Sequence, residues 1–70
     1  MKKRTKLKLL RVAHHLTQEQ MAKRLNVSRN TYVSIENGAR NGTYSFWERV
    51  QGTFAIPSED MWQLQRLDGE

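Results

Sequence analysis

Residues Leu16–Gly38 read LTQEQMAKRLNVSRNTYVSIENG, and the fold is decided there. Thr17 and Gln20 stand three apart as a T-x-x-Q capping box, in which each side chain can bond a backbone N–H that the start of a helix leaves without a partner. Met21, Ala22 and Leu25 then recur at one-turn spacing, as a helix with one buried face requires. Asn26 follows, a residue type that tolerates the left-handed backbone needed to end a helix sharply. Ser28 suits the cap of a second helix and Gly38 its end. Two short helices joined by a tight polar turn over residues 17–37 form a helix-turn-helix.

The second helix sorts into two faces. At about 100° per residue, Tyr32 and Ile35 fall together and suit a core, while Arg29, Asn30, Val33, Ser34 and Asn37 gather on the other side. That second set is mostly hydrogen-bonding, one member is cationic, and Val33 can meet a thymine methyl group. Such a face matches base edges in a major groove, where Arg favours guanine and Asn favours adenine. On an ordinary amphipathic helix the same face would simply be solvated. The capped helix and turn that precede it favour the base-reading role.

Residues 7–56 resemble the lambda-repressor and Cro-like helix-turn-helix domain, the XRE family. The matching residues are Leu10-Arg11, Leu16-Thr17-Gln18-Glu19, Met21-Ala22, Val27-Ser28-Arg29 and Ile35-Glu36-Asn37-Gly38. The resemblance implies an all-α fold, a compact bundle of about five short helices. It implies binding of operator DNA as a dimer, as most characterised members do in prokaryotes and their phages. It pairs Arg11 with Glu36, places Arg29, Asn30 and Ser34 at base-reading positions with Val33 beside them, and sets Asn37, Arg40 and Asn41 against the DNA backbone. Three positions depart from the pattern. His15 stands where a helix-ending glycine is common, Asn26 replaces the turn glycine, and Gly42 sits where a proline often opens the fourth helix. His15 is expected to strain its turn or shift it by one residue, and Gly42 leaves the start of helix four to the cap Thr43.

Composition agrees. Seventy residues make one domain, and a chain of that size buries only about 60% of its unfolded surface. No separate ligand-sensing domain is expected. Cysteine is absent, so disulfides and thiolate metal sites are excluded and a reducing cytoplasm suits the chain. No apolar run approaches the ~18 residues of a membrane span. The opening MKKRTKLKLL starts like a signal peptide, but its apolar stretch is too short for one, so a cytoplasmic location is expected. Residues 1–50 hold eleven Lys or Arg against Glu19, Glu36 and Glu48, a balance of +8; residues 51–70 carry −3, giving the net +5. A basic body suits a polyanion, and the acidic tail is expected to face away from it. Lys2, Lys3, Arg4, Lys6 and Lys8 serve equally as a solvated, frayed terminus.

The remaining helices hold the motif. Helix one, about residues 4–14, presents Leu7, Leu10, Arg11 and His14 along one stripe, and an arginine there needs a partner because an isolated buried charge is very costly. Helix four, about 44–54, aligns Tyr44, Trp47, Val50 and Phe54 as a core face; Gly52 weakens it by roughly 1 kcal/mol relative to Ala. Glu59 and Asp60 suit the start of a fifth helix over about 58–67. His14 and His15 are neighbours about 100° apart, so no shared metal is expected. His14 reads as a half-buried packing residue, and His15 as a helix-end residue that can approach a phosphate when protonated. No nucleophile–base pair or phosphate-cradling glycine loop is visible; no enzyme activity, cofactor or metal is expected.

The functional expectation is a regulator, most simply a repressor, that reads double-stranded DNA. Helix three enters the major groove and helix two spans the backbone. Thr17, Gln18 and the N–H groups opening helix two meet a phosphate. Ser28 either caps its own helix or meets a phosphate, and these roles compete. Met61, Trp62, Gln65 and Leu67 are candidate homodimer contacts; the competing role for Trp62 is closing the core over helix four. The other class of function is a protein-interaction module, such as an antitoxin that neutralises a partner through Met61, Trp62, Leu64 and Leu67.

Overall fold

The computed structural model describes residues 2–68. Five α-helices follow one another: α1 (Thr5–Ala13), α2 (Gln18–Arg24), α3 (Arg29–Glu36), α4 (Tyr44–Phe54) and α5 (Met61–Gln65), the last entered through a 3-10 turn at Ser58–Asp60. Local chemistry sets most of the boundaries. Thr17 accepts from the Gln20 N–H and the Gln20 side chain accepts from the Thr17 N–H, closing the capping box in both directions. Ser28 and Thr43 cap α3 and α4 by accepting from Thr31 and Phe46, each at 3.1 Å.

Among the described residues, three that are not glycine hold left-handed backbone: His15 (φ 58°), Asn26 (φ 58°) and Ala55 (φ 53°). The first two are the turns after α1 and α2. The His15 turn keeps its register and does not shift, because His and Asn reach this region more readily than most residues. Gly42 is also left-handed, at φ 79°, and a Cβ there would lie 2.9 Å from the Trp47 indole nitrogen. A proline, fixed near φ −65°, could not make this turn.

The core joins Leu7, Met21, Leu25, Tyr32, Ile35, Phe46 and Val50, with Trp47, Met61 and Leu64 closing its edge. The periodicity of helix four predicts a buried Tyr44; instead Tyr44 is 80% exposed and Phe46 is buried. On a helical wheel Phe46, Trp47, Val50 and Phe54 fall within an arc of about 100°, and Tyr44 lies beyond its edge. Phe46 packs edge-on against Trp47 with ring centroids 4.9 Å apart. His14 is exposed, not half-buried, and lays its ring 4.7 Å from that of Phe54.

Both ends of the chain differ from expectation. Helix five is shorter than 58–67: Arg66 turns extended (ψ 139°), and Lys3 and Asp68 then exchange two backbone hydrogen bonds of 2.7 and 2.6 Å. The N-terminal segment is therefore tied down and is not a frayed terminus. Gly38 makes room for this strap. A Cβ on Gly38 would overlap the Lys2 carbonyl oxygen and lie 3.2 Å from Leu67.

The glycines generate a paired prediction. Gly52 lies inside α4, and a Cβ added there would meet nothing within 4 Å, so Gly52→Ala should stabilise the protein by about 1 kcal/mol and raise Tm by roughly 4–8 °C. Gly38→Ala should lower Tm, since it adds both a clash and left-handed strain. Thermal unfolding followed by circular dichroism checks both; a fall in Tm for Gly52→Ala would show that α4 needs its flexibility.

Candidate nucleic-acid interface

The outer face of α3 is built by what its inner face buries. Tyr32, Ile35 and Glu36 are buried, which turns Arg29, Asn30 and Asn37 to solvent and leaves Val33 and Ser34 half-buried between them. Arg29 and Asn30 sit in the first turn, immediately after the cap. Of the two roles open to Ser28, capping occupies its hydroxyl: Oγ accepts from the Thr31 N–H and its hydrogen goes to Thr31 Oγ1 at 2.9 Å.

The other end of α3 is anchored by charge. Arg11 Nε donates to Glu36 Oε2 at 2.9 Å, and a second Arg11 nitrogen reaches the Leu16 carbonyl at 2.9 Å. Tyr32 donates its hydroxyl to the same Glu36 oxygen, and Gln18 Nε2 donates to Glu36 Oε1 at 3.1 Å. Helices α1, α2 and α3 thus meet on one carboxylate. Burial pushes the Glu36 carboxyl up, but the hydrogen bonds from Arg11, Tyr32 and Gln18 outweigh it and hold it below the ordinary range. Burial, with the bond to Glu36, pushes the Tyr32 phenol strongly up, so it remains a donor.

Arg4 is the functional support that sequence reasoning missed. Sequence position groups it with exposed lysines, yet it is 4% exposed. Its guanidinium donates to the carbonyls of Ile35 (2.6 Å), Arg40 (2.8 Å) and Gln65 (3.0 Å). Its carbon Cζ lies 5.4 Å from the centre of the Trp47 ring, within reach of a cation–π attraction. Burial lowers its pKa, though a guanidinium stays charged. A signal existed: Arg4 precedes Leu7 by three and Arg11 by seven, the stripe already assigned to the core.

Of the candidate phosphate-contacting residues, Gln18 and Asn37 line one cavity with Arg4, to which Arg40 and Asn41 offer their carbonyls. Thr17 is exposed beside its capping box, and Gln18 keeps one amide hydrogen beyond the one given to Glu36. Asn37, Arg40 and Asn41 are exposed, while the Arg40 and Asn41 carbonyls are held by Arg4 and by the Trp47 indole N–H (3.0 Å). The loop is braced from inside with its side chains outside. Among the candidate dimer contacts, Met61 is a correction: it is buried in the molecule's own core, as is Leu64. Trp62 is 57% exposed, so it does not close the core over α4; Gln65 and Leu67 are exposed too. Among the described residues no three metal-ligating side chains gather, and no helix is long and apolar enough to cross a membrane.

This fold, with one helix offering a polar face beside a capped partner helix, defines a helix-turn-helix module. A family model described as helix-turn-helix matches residues 7–50, and the chain belongs to that family, the XRE kind. It is 38% identical over 58 residues to an uncharacterized HTH-type transcriptional regulator of Methanocaldococcus jannaschii, covering 83% of this chain and 88% of that one. It is similar to two uncharacterized HTH-type transcriptional regulators of Archaeoglobus fulgidus, at 31% and 30% identity, each over 96% of the relative's length and 86% and 84% of this chain. No solved structure matches the chain at a comparable level.

The Glu36 cluster has a pH signature. A carboxyl whose folded pKa is depressed stabilises the fold above its unfolded value, and that stability drains away as pH falls through the folded one. Wild-type protein should therefore lose stability below pH 4.5, the ordinary value for glutamate, more steeply than Glu36→Gln does. At pH 7 the same substitution strands Arg11 and should cost roughly 3–5 kcal/mol. Urea unfolding at pH 7, 5 and 3 measures both; parallel pH profiles would mean that these bonds do not hold the carboxylate ionised.

Proposed function

We propose that this protein is a DNA-binding regulator of transcription that inserts α3 into the major groove of double-stranded DNA. The observation that carries the reading is the two-sided α3: its inner side is fixed by Glu36, Tyr32 and Ile35, and its outer side offers Arg29, Asn30, Val33 and Ser34. Residues at the start of a recognition helix reach base edges, which gives Arg29 a guanine and Asn30 an adenine as preferred partners. Thr17, Gln18, Asn37, Arg40 and Asn41 take the flanking phosphates, while Ser28 stays with its cap. The relatives' names support the regulatory reading. Occupation of a promoter, and so repression, is the simplest outcome.

One recognition helix reads only a few base pairs, too few to discriminate among genomic sites. A symmetric homodimer through Trp62, Gln65 and Leu67 doubles the readout and calls for half-sites about 10 base pairs apart.

Selection of bound sites from random DNA, followed by a salt series, tests the reading: binding should weaken steeply as salt rises. Arg29→Ala should cost ~1–3 kcal/mol and relax preference at one base position; an unchanged selected site would remove α3 as the reader. Sedimentation of the complex checks the dimer separately. Two protomers on a near-palindromic site are expected, and one protomer per site would sink the dimer alone.

A further inference from the structure

We propose that the cavity where the start of α1, the start of α2 and the end of α3 meet seats one phosphate of the DNA backbone, held by the ammonium groups of Lys3 and Lys8. The cavity has a volume of about 330 Å³, and Lys3, Thr5, Lys8, Gln18 and Asn37 line it above Arg11 and Glu36. Gln18 and Asn37 already stand among the residues assigned to phosphates, so the cavity lies at the edge of the proposed DNA interface. The proposal rests on the DNA-binding reading and extends it to a part of the chain that the helix-turn-helix does not include.

Three observations favour an anion there. The carboxylate on the cavity floor is already matched, because Glu36 accepts from Arg11, Tyr32 and Gln18, and the Arg4 guanidinium that also lines the cavity bonds only main-chain carbonyls, so its positive charge remains. Lys3 and Lys8 are exposed at its rim and supply the excess positive charge. The start of α1 has no side-chain cap and no acidic residue in its first turn, where the helix dipole is positive and favours a negative group. Lys3 is also held in place. Its N–H and C=O are both bonded to Asp68, and the Asp68 carboxylate is turned to Arg66, with an Nε–Oδ1 distance of 3.1 Å. A lysine on an anchored main chain loses less freedom on binding than one on a frayed end.

Lys6 provides the control. It lies three residues after Lys3, in the first turn of α1, but lines a different groove, with Leu9, Phe54 and Gln63. Binding of the full chain to its selected site and to random DNA is measured over a salt series of roughly 50–300 mM for wild type, Lys3→Gln, Lys8→Gln and Lys6→Gln. Each phosphate contact contributes about 0.9 to the slope of log affinity against log salt. Lys8→Gln and Lys3→Gln should lower that slope by up to this amount and weaken specific and random DNA by the same factor, while Lys6→Gln leaves the slope unchanged. Equal slopes for Lys8→Gln and wild type, with wild type still binding, overturn the cavity and spare the DNA reading. A wild type that binds no DNA overturns both. Inorganic phosphate at constant ionic strength separates the sources: competition with DNA that Lys8→Gln abolishes keeps the seat on the backbone. A phosphate complex that leaves DNA binding unaltered assigns it to a free anion and overturns the proposal.

Discussion

A carboxylate deep in a small protein is tolerated only when every oxygen is satisfied, and Glu36 meets that demand by drawing in three helices at once. Arg11 comes from α1, Gln18 from α2, and Tyr32 from one turn earlier on α3. Its backbone carbonyl takes a fourth partner, the Arg4 N–H at 2.9 Å. The direction in which α3 points is therefore a consequence of electrostatics as much as of packing. The polar outer face follows, because a helix whose inner side is pinned at its end and sealed by Tyr32 and Ile35 has no freedom to rotate.

Arg4 does for the loops what Glu36 does for the helices. The carbonyls of Ile35 and Arg40 converge on one guanidinium, and that of Gln65 joins them. A cation near the last carbonyls of α3 also complements the negative end of its dipole. The two clusters are neighbours, and one supplies anionic and the other cationic charge to the same helix end. Exposed side chains at Asn37, Arg40 and Asn41 are consequently presented from a main chain with little latitude, which is what recognition of a rigid duplex requires.

The helix-turn-helix was legible because its determinants are local. Thr17 with Gln20, Ser28 with Thr31, and the left-handed Asn26 all act within a turn of themselves, so spacing alone exposes them. The Arg11–Glu36 pair became readable through resemblance, the two residues being 25 positions apart. Arg4 was not legible in this way, since its partners are main-chain carbonyls 31 to 61 residues away, and a carbonyl has no sequence signature. Tyr44 was misplaced for a different reason. Helical period identifies aligned residues but not which of two overlapping arcs faces the bundle, and Phe46, outside the arc chosen, is the one that packs on Trp47. Of the residues proposed to read bases, Arg29 and Asn30 lie on the solvent side of α3, as the pattern put them, with Val33 and Ser34 half-buried beside them.

The strap between Lys3 and Asp68 bears on how the chain assembles. It closes a loop spanning nearly the whole chain, and the entropy of closing a loop grows with its length. The α2–α3 pair needs only a short turn, so it can form early, whereas the strap and the seating of Arg4 must await a nearly complete bundle. Opening should run in reverse. The ends would separate first and expose the underside of α3 while its caps remain intact, giving amide protection that is low at the strap and high in α2 and α3.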